Sequence, residues 1–263
     1  MVGLFGNNSW AGRSLLILLL ALFGGCAGIG GQHQGGEDFE RWINAIDLDD
    51  VGTIRADVAA GRLQINQRIP APAYSQGAPL VALAARAASL DVLRFLISAK
   101  ADVNARTAAG ETPLMLAAYF RNESTGVAER HDEAVRLLVE AGADLENESN
   151  SYTALGYAAY NNRPNALRFL LQKGARVDAD AEDRTIYINT PLIMAAIQGH
   201  KEIVSQLLRA GADPHVRVKG GHTAREFAVK YQNTHVLPML QCAESLPPGM
   251  RYTQVCEGSL ANR

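Results

Sequence analysis

Between residues 190 and 213, the order of apolar and polar side chains predicts two short helices joined by a tight turn. The segment reads TPLIMAAIQGHKEIVSQLLRAGAD. Thr190 can cap a helix whose first turn tolerates Pro191, because the N–H that proline lacks has no partner there. Gly199 interrupts the run, and a second apolar-periodic stretch ends at Gly211. Such a pair cannot bury its apolar side alone, so it requires neighbours.

The same pattern recurs along the chain. Four clear units have first helices predicted at 77–85, 110–118, 151–159 and 190–198, each with an alanine pair. Two degenerate units flank them, at 39–66 and 220–240. The intervals between Thr112, Thr153, Thr190 and Thr223 are 41, 37 and 33 residues. Stacked units of this kind bury a continuous one-dimensional core, which predicts a solenoid.

A spacing near 33 residues, with T-P-L, A-A, G-H and G-A-D at fixed offsets, resembles the ankyrin repeat. The resemblance covers about residues 38–241. It implies an all-α ankyrin-repeat solenoid of helix-turn-helix units with short inter-repeat hairpins, in which about four clear repeats lie between two degenerate capping repeats. Two departures stand out: Lys100 replaces a helix-ending glycine, and Pro79 makes one junction irregular.

Two units are longer than the repeat requires. Residues 119–131 add about nine residues between paired helices, and residues 176–190 add about four residues to a hairpin. We expect both insertions to lie in loops, where added residues are tolerated and binding residues collect. The second insertion carries Tyr187 and Ile188 at an expected hairpin tip.

The first 25 residues differ in composition from the rest. The strongly apolar run at 14–23 is about half as long as the roughly 20 residues of a membrane-spanning helix, so it predicts a secretory signal. Gly24 and Gly25 before Cys26 resemble the lipobox of bacterial lipoproteins, although Phe23 stands where that motif has leucine. A cleaved signal with an incidental cysteine and an uncleaved anchor are the alternatives.

The lipoprotein resemblance implies lipidation at Cys26 and a periplasmic chain anchored to a bacterial membrane. Ala27 after the cysteine favours the outer membrane. The expected organisation is a signal peptide at 1–25, a flexible lipid tether at 26–37, the ankyrin-repeat domain at 38–241 and a C-terminal tail at 242–263.

The remaining cysteines lie near the C-terminal end. The chain has three cysteines, and with Cys26 lipidated only Cys242 and Cys256 are left. Because exported proteins occupy an oxidising compartment, we expect a disulfide between these two. Two free thiols are the alternative.

Composition and motifs favour binding over catalysis. The net charge is −2 without a basic cluster, which argues against nucleic-acid binding. The sequence has none of the G-x-S-x-G, P-loop or H-E-x-x-H motifs. His215 and His222 flank the last hairpin with no carboxylate or cysteine at ligand spacing. We therefore expect no enzymatic activity, no cofactor and no metal site.

The ankyrin resemblance implies that a partner binds the concave face, at positions after each alanine pair and before each repeat start. Five of the eight tyrosines fall at such positions. Tyrosine combines a large rigid contact area with a polar tip, which suits binding hot spots. The predicted partner-binding residues are Tyr119, Phe120, Tyr152, Tyr160, Tyr187, Ile188 and Tyr231. The alternative is that some rings pack along their own groove, as we expect of Tyr157, which replaces a core leucine.

These features predict a non-enzymatic, monomeric, membrane-tethered module of the periplasm that binds a protein partner. One alternative is an immunity protein that neutralises a secreted bacterial effector, by analogy with other ankyrin-type lipoproteins. Another is a structural envelope protein with no specific partner, in which the tyrosines are dispensable.

Overall fold

Short helices in adjacent pairs build most of the fold. The computed structural model describes residues 34–71, 73–119, 125–147, 152–178, 190–217, 221–247 and 250–260. The chain divides into two units, Met1–Gly36 and Glu37–Arg263, and the repeats lie in the second. Within the described ranges, no helix is both long and apolar enough to cross a bilayer.

In the described part of the chain, six helix pairs follow one another, as the four clear and two degenerate repeats predict. The pairs are α1 (Gln34–Asp47) with α2 (Val51–Ala59), α3 (Leu80–Ala87) with α4 (Leu90–Ser98), α5 (Pro113–Tyr119) with α6 (Thr125–Glu140), α7 (Ala154–Tyr160) with α8 (Pro164–Gln172), α9 (Pro191–Gln198) with α10 (Lys201–Arg209), and α11 (Ala224–Lys230) with α12 (Leu237–Glu244). A 3-10 turn, Thr234–Val236, leads into α12, and α13 (Tyr252–Leu260) follows it.

Alanine pairs bring the first helices of successive repeats together. Helices α3, α5, α7, α9 and α11, here called the inner helices, each contact the next one in this order. A methyl side chain lets two helix backbones approach closely, and burial between repeats removes it from water. The paired alanines are all fully buried: Ala84, Ala85, Ala117, Ala118, Ala158, Ala159, Ala195 and Ala196.

Threonine caps fix the start of the inner helices α7, α9 and α11. The Oγ1 atom of Thr153 accepts the N–H of Gly156, and that of Thr190 accepts the N–H of Ile193, both at 3.3 Å. At Thr223, the side chain of a glutamate three residues later returns a bond to the cap, which completes a capping box. Each cap satisfies an otherwise unpaired N–H and contributes about 1 kcal/mol.

Left-handed residues follow the outer helices α4, α6, α8 and α10. Gly142, Gly174 and Gly211 have φ between 90° and 94°, which glycine adopts without steric cost. Lys100 occupies the same place after α4 and has φ of 64°. The lysine therefore takes the glycine conformation that the repeat pattern predicts at this position.

One inter-repeat junction is a β-hairpin and not a simple turn. Strands β1 (Arg68–Ala71) and β2 (Tyr74–Pro79) pair antiparallel between α2 and α3. Gly77 has φ of 76°, and a Cβ there would lie 3.3 Å from the Ile69 carbonyl oxygen. Thus the irregular junction expected at Pro79 is a strand end, and α3 begins directly after it.

The prediction that the first insertion, residues 119–131, forms a loop is wrong for residues 125–131, which are helical. Helix α6 begins at Thr125 and has 16 residues, whereas α4 and α8 have nine each. Tertiary contacts hold the added turns in place. Arg130 donates to the Asp49 carboxylate at 2.7 Å and to the Ala88 carbonyl at 3.0 Å, and the buried His131 ring contacts the Arg86 carbonyl at 3.1 Å.

The tail is also partly helical. Helix α12 continues to Glu244, and α13 packs against α12 and α10. The structure brings Cys242 and the buried Cys256 together, with Cα atoms 5.8 Å apart.

Candidate partner-binding surface

Three tyrosines from two repeats form a cluster: Tyr119 on the inner helix α5, Tyr157 on the inner helix α7, and Tyr152 just before α7. Tyr157 is 9% exposed, which confirms its predicted core position. Tyr119 and Tyr152 meet it edge-on, with ring centroids 5.3 Å and 5.7 Å from the Tyr157 centroid. Both outer rings are half-buried against the core. They therefore pack along the groove with one part of the ring and remain accessible with the other.

The environment of Tyr157 keeps its hydroxyl protonated. Burial raises the pKa of Tyr157 strongly, and the nearby carboxylate of Glu111 and the neighbouring tyrosines raise it further. The residue is a neutral hydrogen-bonding group throughout the physiological pH range.

A fourth tyrosine extends the cluster toward the β-hairpin. Tyr74 begins β2 and is buried, and its hydroxyl accepts a hydrogen bond from Arg86 Nη1 at 3.0 Å. The Arg86 guanidinium carbon lies 5.4 Å from the Tyr74 ring centroid, within cation–π range. Here, "tyrosine cluster" means Tyr74, Tyr119, Tyr152 and Tyr157.

The other predicted contact residues are dispersed. Tyr160 is half-buried three residues after Tyr157, so the two side chains are neighbours on the α7 surface. Tyr231 is 49% exposed and stacks on Phe227 in the last repeat, away from the tyrosine cluster in sequence and fold. Four predicted residues lie outside the described ranges: Cys26, Phe120, Tyr187 and Ile188.

Sequence reasoning missed Tyr74. The residue lies in a strand inserted between two repeats, so no offset within the repeat marks it as a contact position. The available signal was the period of two in 68–71, where exposed and buried side chains alternate around Ile69. That pattern predicts a strand and, with the turn after it, a hairpin.

His222, which with His215 flanks the last hairpin, contacts an aromatic ring and a carboxylate. His222 lies edge-on to Phe227, with ring centroids 5.4 Å apart, and its Nδ1 atom is 3.5 Å from the Glu226 carboxylate. Among the residues that the structure describes, no group of three or more histidine, cysteine, aspartate or glutamate side chains is arranged to hold a metal ion.

Comparison with known proteins agrees with the stacked helix pairs. A family model described as ankyrin repeats in three copies matches residues 81–183, and one described as an ankyrin repeat matches residues 188–219. Together these matches cover about half of the chain.

Curated relatives match this chain over part of its length. Palmitoyltransferase Hip14 of Drosophila melanogaster is 45% identical over 84 residues, which are 32% of this chain and 13% of that protein. Palmitoyltransferase ZDHHC17 of Homo sapiens is 42% identical over 83 residues, which are 31% and 13%. The mitochondrial disaggregase of Bos taurus is 30% identical over 163 residues, which are 62% and 22%.

The chain therefore spans less than a quarter of the length of these relatives. The family matches coincide with the capped, alanine-paired inner helices and their outer partners. From this agreement we conclude that the chain belongs to the ankyrin-repeat family, whose fold is typically non-catalytic and serves as a protein–protein interaction module.

Proposed function

We propose that this protein is a membrane-tethered periplasmic interaction module that binds a partner protein on its concave face. The surface is centred on Tyr119, Tyr152 and Tyr160. Phe120, Tyr187 and Ile188, which lie outside the described residues, stay predicted contact residues, and Tyr231 lies apart in the last repeat. Tyr119, Tyr152 and Tyr160 carry the proposal, because their rings lie after an alanine pair or before a repeat start, where repeat stacking does not require a large side chain.

Partial burial suits these rings for binding. Tyr119 and Tyr152 are held by contact with Tyr157, so they lose little conformational freedom when a partner covers them. Their remaining exposed surface combines apolar rings with hydroxyl groups, a combination enriched in binding hot spots. The module thus presents a preorganised aromatic surface.

The proposed tether is a lipid on Cys26. The short apolar run at 14–23 and the glycines before Cys26 support export followed by lipidation. Residues 26–37 then link the lipid to the repeats. The small residue Ala27 supports placement in the outer membrane.

Replacing Cys26 with serine is expected to release the protein from the membrane. The wild-type chain should carry the mass of a lipid and sediment with membranes, because lipidation requires the cysteine sulfur. Cys26→Ser should lose both properties, whereas the control Cys242→Ser should retain them. Intact-mass spectrometry measures the lipid mass, and membrane fractionation measures sedimentation with membranes. A wild-type chain without lipid mass contradicts the proposed tether.

Export also supports a Cys242–Cys256 disulfide that pins α13 to α12. The Cα separation of 5.8 Å lies within the range that a disulfide spans. Closing a loop of about 15 residues stabilises a fold by about 3 kcal/mol in the chain-entropy model. Alkylation of the exported protein under denaturing conditions should label neither cysteine until a reductant is added. Two cysteines alkylated without reductant contradict the proposal.

Affinity capture of the full chain from its native host, followed by mass spectrometry, tests the function itself. A specific periplasmic protein recovered by wild type supports the interaction module. Recovery of a secreted effector identifies the immunity role, and the absence of any specific protein favours the structural role.

A further inference from the structure

A carboxylate beside the tyrosine cluster forms no ion pair with the residues that the structure describes. Glu111 precedes α5 and is half-buried, and its Oε2 atom accepts a hydrogen bond from the Thr107 hydroxyl at 3.2 Å. None of the ion pairs between described residues includes Glu111.

The charge of Glu111 reaches two rings of the cluster. Burial raises the pKa of Tyr74, while Arg86 lowers it and Glu111 raises it. Glu111 also raises the pKa of Tyr157, after burial. A hydrogen bond joins the Glu111 and Tyr74 side chains and places the carboxylate beside the hairpin end of the cluster.

Arg86 approaches Glu111 only through the Tyr74 side chain. Arg86 donates to the Tyr74 hydroxyl and lies over the Tyr74 ring. It forms no ion pair with Glu111 within 4.0 Å. Among the described residues the Glu111 carboxylate thus has no direct cationic contact, which a cation of a bound molecule can supply.

Ring geometry adds a second attraction for cations. The Tyr119 and Tyr152 planes stand at 87° and 66° to the Tyr157 plane, so neither ring stacks face to face on Tyr157. The face of an aromatic ring carries negative charge density and attracts ammonium and guanidinium groups. The ring faces and the carboxylate therefore both favour a positively charged ligand.

We propose that the tyrosine cluster with Glu111 binds a lysine or arginine side chain of the partner protein. The cation lies against the tyrosine rings and pairs with the Glu111 carboxylate. This inference rests on the proposed function, because it names the chemistry that the concave face selects. An acidic side chain paired with Arg86 is the competing occupant, and Glu111 repels it.

A random dodecapeptide display library, selected on the detergent-solubilised full chain, tests this chemistry. Selected peptides should share one lysine or arginine at a fixed position. Glu111→Gln should weaken a selected synthetic peptide about tenfold, as expected for loss of about 1.4 kcal/mol. The control Glu133→Gln, on the outer helix α6, should leave its affinity unchanged.

A second comparison requires no change in the protein. Replacing the basic residue of the peptide with norleucine should also cost about tenfold on wild type, and should cost little on Glu111→Gln, because both changes remove the same pair. Equal peptide losses on both proteins would overturn the pairing.

Other outcomes separate this inference from the proposed function. Peptides without a basic residue that lose binding in Tyr160→Ala would overturn the cation site and leave the concave surface in place. Acidic peptides whose binding depends on Arg86 would also overturn the cation site and leave the concave surface in place. Failure to select any peptide, or selected peptides insensitive to Tyr160→Ala, would count against both.

Discussion

Replacement of Arg163 by alanine is expected to lower the free energy of unfolding by about 3–5 kcal/mol. The Arg163 side chain is 5% exposed, and its Nη2 atom donates to the Ala128 carbonyl at 2.7 Å and to the Asp132 carboxylate. The variant leaves Asp132 14% exposed without this cation and a carbonyl without this donor. Losing one partner of a buried pair costs more than the pair contributes in total.

Arg168→Ala is the matched control for that measurement. Arg168 lies on α8, the helix that Arg163 caps, but its side chain is 54% exposed and its ion pair with Glu202 spans 3.7 Å. An exposed pair of this kind contributes about 0–1 kcal/mol. Urea unfolding followed by circular dichroism measures both variants. A similar small loss in the two would show that the buried contacts of Arg163 do not hold α6 and α8 together.

The position of Arg163 explains why a large effect is expected. It directly precedes the outer helix α8, as His200 directly precedes α10 in the next repeat. His131 takes the corresponding repeat position inside the longer helix α6. His200 contacts the Tyr160 carbonyl at 3.0 Å, and His131 contacts the Arg86 carbonyl at 3.1 Å. In each case the residue at this repeat position binds backbone from an earlier repeat. Solenoid stability depends on such nearest-neighbour contacts.

Combined replacement of Tyr119 and Tyr160 by alanine is expected to weaken partner binding by at least about thirtyfold. Truncation of a central hot-spot aromatic typically costs about 2 kcal/mol or more. Isothermal titration with the partner recovered by affinity capture measures the affinity. Normal affinity in the double variant would place the partner site elsewhere.

The two tyrosines differ in their expected effect on stability. Tyr119 packs edge-on against Tyr157, and such a contact contributes about 0.5–1.5 kcal/mol beyond area burial. Tyr119→Ala alone should therefore lower the melting temperature slightly, while Tyr160→Ala should change it less. Comparing both single variants separates lost binding from lost folding. Unfolding of Tyr160→Ala would show that its ring belongs to the core.

The repeat pattern was predictable because its signals are local. Threonine caps, alanine pairs and helix-ending glycines each act over one or two helical turns, so the sequence alone predicts the helix pairs from α3 to α11. Lys100 could still be identified as the helix-ending residue of its repeat, because the repeat motifs on both sides of it fix its position. Tyr157 was recognised as a core residue for the same reason.

The extra turns of α6 were not predictable in this way. Their stabilising contacts join residues far apart in sequence, as between Arg130 and Asp49, which are 81 residues apart. No periodicity within 119–131 reports such a contact. The tyrosines near Glu111 were likewise only partly predictable from the sequence, because Tyr74 comes from a hairpin that lies outside the repeat pattern.

A photocrosslinking side chain placed on each face tests the central claim, that the concave surface binds the partner. Benzoylphenylalanine in place of Tyr160 keeps an aromatic group on the inner helix α7. The same group in place of the exposed Arg168 lies on the outer helix α8. Irradiation in the native host should crosslink one protein to position 160 and not to position 168. Crosslinks from position 168 alone would contradict the proposed surface.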